Sequence, residues 1–285
     1  AYAAPVCTAT GALLLLTGSG ATAGLLLILL GGLILLAVMG KIFLIHPTLD
    51  VGVIAGGVAL GFLGNGLWLS GRPIGQLVFW WAGFLILTIA GERLELSRLL
   101  RLSPRVVAAF LTTVALFVSG LVLSLYAFVD GIRLSGLGMV GLAVWLLLYD
   151  IARRRVKAGG QARFIALALL SGYLWLGIGG GLVVVYAGYL AGPYYDAFLH
   201  AIFLGFVFTM IFAHAPIVFP AVLQRGFVYS SRFYSHLVLL HATLLLRVAS
   251  DLLLWQPGRL WGGLLNALVL LLFLFNTITA LRAVR

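Results

Sequence analysis

In a chain of 285 residues, 63% hydrophobic and 9% charged side chains exclude a water-soluble domain and require lipid as the main solvent. The net charge of +11 is divided among short loops, so it marks neither nucleic acid nor an acidic partner. A single cysteine, Cys7, excludes an internal disulfide framework, a thiolate zinc site and an iron–sulfur cluster built by this chain alone.

The chain opens at Ala1 rather than Met, and Gly11 to Thr17 reads as the tail of a helix before a Gly18-Ser19-Gly20 turn, so further helices are expected upstream. No basic segment precedes the first apolar stretch, which argues against a signal peptide. Apolar runs then predict spans near 20–40, 51–70, 76–91, 106–128, 134–150, 164–188, 196–223, 233–254 and 261–281. These runs do not alternate, and in hydrocarbon every backbone N–H and C=O must be satisfied within the segment or in a closed barrel, so the spans are helices. The expected fold is an all-α polytopic transmembrane bundle of about nine spans, one domain over 1–285, surrounded by the lipid bilayer.

The loop charges orient it. Lys41, Arg93, Arg98, Arg101, Arg105, Arg153, Arg154, Arg155, Lys157, Arg163, Arg225, Arg232, Arg282 and Arg285 fall in alternate loops, against Arg72, Arg133 and Arg259 in the others. That asymmetry predicts a cytoplasmic C-terminus, in a bacterial cytoplasmic membrane. At the inner end of the third span, Glu92 and Arg93 are adjacent and expected to diverge, whereas Glu95 and Arg98 can meet at i, i+3. Asn65, Asn266 and Asn276 are candidate interhelical glue, and Gly177 to Gly181 allows close helix packing.

Ionisable groups at bilayer depth are costly and are therefore functional candidates. His46 belongs to a loop, where a solvated histidine is expected. The other four histidines, His200, His214, His236 and His241, crowd into two consecutive spans. At 100° per residue His200 and His214 return to within about 40° of one face, roughly 21 Å apart along the axis. Counting depth from the span ends gives an inner level holding His214 and His241 and an outer one holding His200 near Arg247 and Asp251. His236 falls at the inner rim beside Arg232, where solvation is its ordinary account. Imidazoles at matched depth on facing helices suit a haem or part of a copper site, and Arg247 is suited to a haem propionate or another anion. Arg247 and Asp251, at i and i+4, can equally pair with each other. Pro216 and Pro220 are expected to kink the seventh span near His214.

The run HAIFLGFVFTMIFAHAPIVFPAV, the tyrosine-rich turn after it, LLLRVASD and the last-span opening GGLLNAL resemble the NnrS family over about residues 196–280. GERLELSR fits a related branch. The resemblance implies a haem- and copper-containing membrane protein connected with nitric-oxide stress and denitrification, and it points to His200, Gly205, Met210 and Arg247. The family's chain is longer, with more spans, and His214 with Pro216 departs from its pattern. The expected function is accordingly a haem- (b-type) or copper-binding membrane protein of nitrogen-oxide or respiratory chemistry, with metal ligands drawn from His200, His214, His236 and His241. Four histidines are too few for a complete haem–copper oxidase, which leaves enzymatic activity open. Two alternatives stand beside it: a non-catalytic subunit of a larger respiratory or photosynthetic complex, and a secondary transporter using His200, Arg247, Asp251 and Glu92 as a polar pathway.

Overall fold

The structure, a computed structural model, describes residues 2–282. Arg285, counted among the cytoplasmic cations, and Ala1 lie outside the described residues. Nine helices among the described residues are long and apolar enough to cross a membrane, and the chain is an all-α polytopic protein. The helices divide into two compact units, Ala1–Arg98 and Leu99–Arg285.

In the first unit, α1 (Ala3–Leu16), α2 (Ala21–Ile45), α3 (Leu49–Leu69) and α4 (Ile74–Ser97) pack in chain order. Small residues bring the backbones together, as they do wherever lipid removes the hydrophobic drive for association. A methyl at Gly61 of α3 would stand 3.1 Å from Phe84 Cβ of α4. Trp81 Nε1 donates to Asn65 Oδ1 at 3.0 Å, so Asn65 does join α3 to α4. The charged end of α4 departs from the i, i+3 expectation. Arg93 is buried and folds back onto adjacent Glu92 at 2.8 Å, and Arg98 reaches buried Asp50 at the start of α3 rather than Glu95. Local spacing gave the wrong partners because a long, flexible arginine side chain reaches whichever carboxylate the tertiary packing brings near it.

The second unit comprises α5 (Pro104–Leu123), α6 (Phe128–Tyr149), the short α7 (Ala152–Arg155), α8 (Gly160–Tyr186), a composite seventh span, α11 (Phe233–Leu252) and α12 (Gln256–Ala280). Pro104, Pro193 and Pro257 stand in the first helical turn, where a missing N–H costs nothing. α6 packs on α5 and α8, α8 on the whole seventh span, and α11 on α9 and α12. Gly136 and Gly180 meet between α6 and α8, where a Cβ on either would sit 2.8 Å from the other's carbonyl oxygen. A two-residue antiparallel ladder, Gly226–Phe227 with Leu281–Arg282, ties the connection after the seventh span to the end of α12.

The seventh span, Pro193–Leu223, consists of α9 (Pro193–His200), a π-helical segment (Ala201–Phe208) and α10 (Thr209–Leu223). α10 carries Pro216 and Pro220 inside a helix that continues to Leu223. The departure from α geometry lies earlier, in the π segment, whose i→i+5 pairing means that a count of 100° per residue does not carry from His200 to His214.

Candidate functional site

The second unit holds its polar side chains at three places along the seventh, eighth and ninth spans. At the end where α9 begins, four charges form one closed network. Asp251, fully buried, accepts from Arg247 Nε at 3.1 Å and from Arg259 Nε at 2.6 Å. Asp196 Oδ2 takes Arg247 Nη2 at 3.3 Å and Arg259 Nη2 at 2.9 Å. Arg247 Nη1 donates to the Arg259 carbonyl at 2.7 Å, and Arg259 Nη1 to Gln256 Oε1 at 3.1 Å.

Local sequence sets this up. Arg247 and Asp251 share a face of α11 at i, i+4. Asp196 occupies the first turn of α9, where the helix dipole favours an acid. Leu254, with φ of 54°, turns the chain so that Arg259 in the opening of α12 comes back over α11. Gly262 permits that return, since a Cβ there would lie 2.8 Å from Arg247 Cα. Two acids and two arginines leave the network neutral. Nε, Nη1 and Nη2 of Arg247 each hold a protein acceptor, so an incoming propionate would have to displace one of them.

His200 Nδ1 bonds the backbone carbonyl of Asp196 at 2.7 Å, and the side chain of that aspartate, which the sequence reading did not single out, belongs to the network with Arg247 and Arg259. Arg259 was missed because it had been assigned to a loop, and Asp196 because it stood at the very first position of the seventh span. Charge balance was the usable signal, since one acid and one base lie within a turn or two of the span ends that carry Arg247 and Asp251.

Below the network an apolar layer of Trp175, Ala197, Ala201, Leu244 and Val248 seals the helices. Beneath it, His241 accepts from Trp175 Nε1 at Nδ1, 3.0 Å, and its Nε2 lies 2.9 Å from Ser171 Oγ. An indole N–H only donates, so in the neutral ring Nδ1 holds the lone pair and Nε2 carries the proton, donated to the serine. His241 therefore joins α11 to α8 with both nitrogens engaged, and would have to give up both bonds to ligate a metal. Gly205 of the π segment lies against Trp175, where a Cβ would meet the indole Cγ at 2.5 Å.

His214 bonds the Met210 carbonyl through Nδ1 at 2.6 Å. A carbonyl oxygen only accepts, so in the neutral rings of His200 and His214 the proton is on Nδ1 and Nε2 keeps its lone pair. Both rings are half-buried. His236 corrects the expectation of a solvated rim residue: it is fully buried, enclosed edge-on by Phe164, Phe212, Phe233 and Phe273. Its Nδ1 meets Asn276 Nδ2 at 3.1 Å, while its Nε2 is buried without a hydrogen-bond partner among the described residues. Distance to a span end did not reveal this, because the α10–α11 connection folds back with Tyr229 and Phe227 over the helix start. Asn266, accepting from Thr243 Oγ1 at 2.7 Å, and Asn276 both join α11 to α12.

Among the described residues no three His, Cys, Asp or Glu side chains converge to hold a metal ion. A metal or haem on the seventh span would fit His200 and His214, whose ring tautomer is that of a ligand anchored by its other nitrogen.

A family model described as a domain of unknown function (DUF8744) matches residues 1–282, and the chain belongs to that family. No curated protein and no solved structure matches it.

Proposed function

We propose that this DUF8744 member is a haem- or copper-binding integral membrane protein of nitrogen-oxide or respiratory chemistry, held in a bacterial cytoplasmic membrane with its C-terminus inside. The observation that carries this reading is the pair of Nδ1-to-carbonyl bonds, at 2.7 Å for His200 and 2.6 Å for His214. Each bond fixes the ring and leaves Nε2 as the basic atom, the arrangement by which metal-ligating histidines are oriented. The π segment between them supports it, since π-helical turns inside α-helices gather at functional sites. The resemblance of residues 196–280 to the NnrS family points the same way, as does the expense of placing imidazoles at bilayer depth.

When bound, haem iron or copper would supply the redox centre and the open coordination position for a small ligand. The chain's own contribution is positional. His200 and His214 are each anchored through Nδ1; the Asp196, Arg247, Asp251 and Arg259 network fixes the start of α9; and His241 clamps α11 to α8 through Trp175. His236 could join the donor set only with the Asn276 amide turned so that its oxygen accepts from Nδ1–H, freeing the Nε2 lone pair.

The test is metal analysis of the detergent-purified protein with oxidised and dithionite-reduced spectra. The parent should carry metal, lost or spectrally shifted in His200→Ala and in His214→Ala and kept in His241→Leu. A folded, colourless and metal-free parent would sink the reading.

A second reading, a non-catalytic subunit of a larger membrane complex, is favoured by α2. That span buries only Gly24 and Gly31 and leaves Leu26, Leu30, Leu33 and Val38 exposed, a face that lipid or a neighbouring subunit would cover.

A further inference from the structure

At the opposite end of the second unit from the charge network lies a groove of about 560 Å3. It is lined by Leu100, Leu102, Leu148, Tyr149, Asp150, Arg153, Arg154 and Lys157. Its framework is fixed: Trp145 Nε1 donates to the Val106 carbonyl at 2.8 Å, pinning the end of α6 to the start of α5, and Phe110 packs on Trp145 at 4.7 Å. Asp150 is the one acid in the lining, and its carboxylate is turned inward. It is 1% exposed, and its Oδ1 accepts from the Ala152 N–H, at the start of α7, at 2.6 Å. Arg153, Arg154 and Lys157 are exposed on the groove.

We infer that this groove binds an anionic phospholipid, its phosphate held by Arg153, Arg154 and Lys157 and its acyl chains laid against Leu100, Leu102 and Leu148. Positive-inside sorting explains why cations stand at this end of the spans, but it requires no cavity and no leucine wall. Here the two chemistries meet at one membrane boundary, as in basic pockets between spans that take lipid headgroups. Arginine's planar fork suits phosphate oxygens, and lysine adds a mobile point charge. A free phosphate ion would gain nothing from the leucines, and a neutral lipid nothing from three cations, so the lining selects a molecule with both parts. The volume lies within the usual range for small-molecule sites, roughly 300–1,000 Å3.

The full chain would be studied in neutral detergent by native mass spectrometry. Phosphatidylglycerol, phosphatidylcholine and inorganic phosphate serve as separate probes. Phosphatidylglycerol should be retained selectively. A cation near an anionic surface is worth roughly five-fold in binding, so combining Arg153→Gln, Arg154→Gln and Lys157→Gln should weaken retention by about a hundred-fold. A charge-matched variant combining Lys41→Gln, Arg133→Gln and Arg225→Gln should bind as the parent does. Each single groove substitution should cost about five-fold, which keeps the test available if the triple variant fails to fold. Leu102→Gln should weaken phosphatidylglycerol alone. Equal retention of the two lipids, an unaffected triple variant, or inorganic phosphate competing at the same concentration as phosphatidylglycerol would each overturn the proposal.

Discussion

Replacing Asp251 by Asn tests the charge network most severely. Asp251 is fully buried and holds two arginines, with oxygens 2.6 and 3.1 Å from their nitrogens, and those arginines are only 14% and 19% exposed. The substitution keeps the side-chain shape but turns a neutral cluster into one of net charge +1. Removing one partner of a buried ion pair costs about 3–5 kcal/mol, chiefly because the remaining charge stays desolvated and uncompensated. Asp196 still pairs with both arginines, so the loss should stay within that range rather than double. Asp196→Asn should cost far less, about 1 kcal/mol, because Asp196 is 35% exposed and water screens what it leaves behind. Combining Asp251→Leu with Arg259→Met restores neutrality and should recover most of the stability. Denaturant unfolding in detergent, followed by tryptophan fluorescence and circular dichroism, reads all four proteins. An Asp251→Asn variant as stable as the parent, or one less affected than Asp196→Asn, would show that the network does not hold the three helices together.

Gly205→Ala should destabilise by about 1–3 kcal/mol through overpacking against Trp175, with a shift in indole emission; an unchanged spectrum and stability would contradict the close approach. His241→Leu leaves the Trp175 N–H without its acceptor and removes the donor to the Ser171 hydroxyl, which keeps its own bond to the Ala168 carbonyl; it should cost about 1–3 kcal/mol, more than Ser171→Ala, and equal effects would dispute the bridging role. His236→Leu removes an orphaned ring nitrogen from an aromatic enclosure but also takes the Nδ1 acceptor from the buried Asn276 amide, and should cost about 1–3 kcal/mol in denaturant unfolding; an unchanged stability would contradict the bond to Asn276.

Much of the fold could be read from the chain because lipid imposes a simple rule, that a span is a long apolar helix. The run near 20–40 is α2, Ala21–Ile45, and the run near 196–223 is the composite span Pro193–Leu223. Hydropathy fixes where a helix lies in the membrane, but not which way its faces turn. His241 proved to face α8 rather than to stand open, and His236 proved to be enclosed by phenylalanines from four separate segments. The π segment carries no proline: AIFLGFVF reads as an ordinary apolar span, and it lies closely against Trp175 and Gly179 of α8. Asp196 escaped notice because its partnerships with Arg247 and Arg259 cross 51 and 63 residues, and only its balance of charge with them could have suggested it.

The measurement closest to the central claim is metal stoichiometry with reduced-minus-oxidised spectra, taken in parallel on the parent, His200→Ala, His214→Ala and His241→Leu proteins, each shown to be folded by circular dichroism. The account predicts metal in the parent and in His241→Leu, and its loss or spectral shift in the two seventh-span variants. Metal retained with unaltered spectra in both of those variants would contradict the assignment of His200 and His214 as ligands, and a folded parent without metal would contradict the function itself.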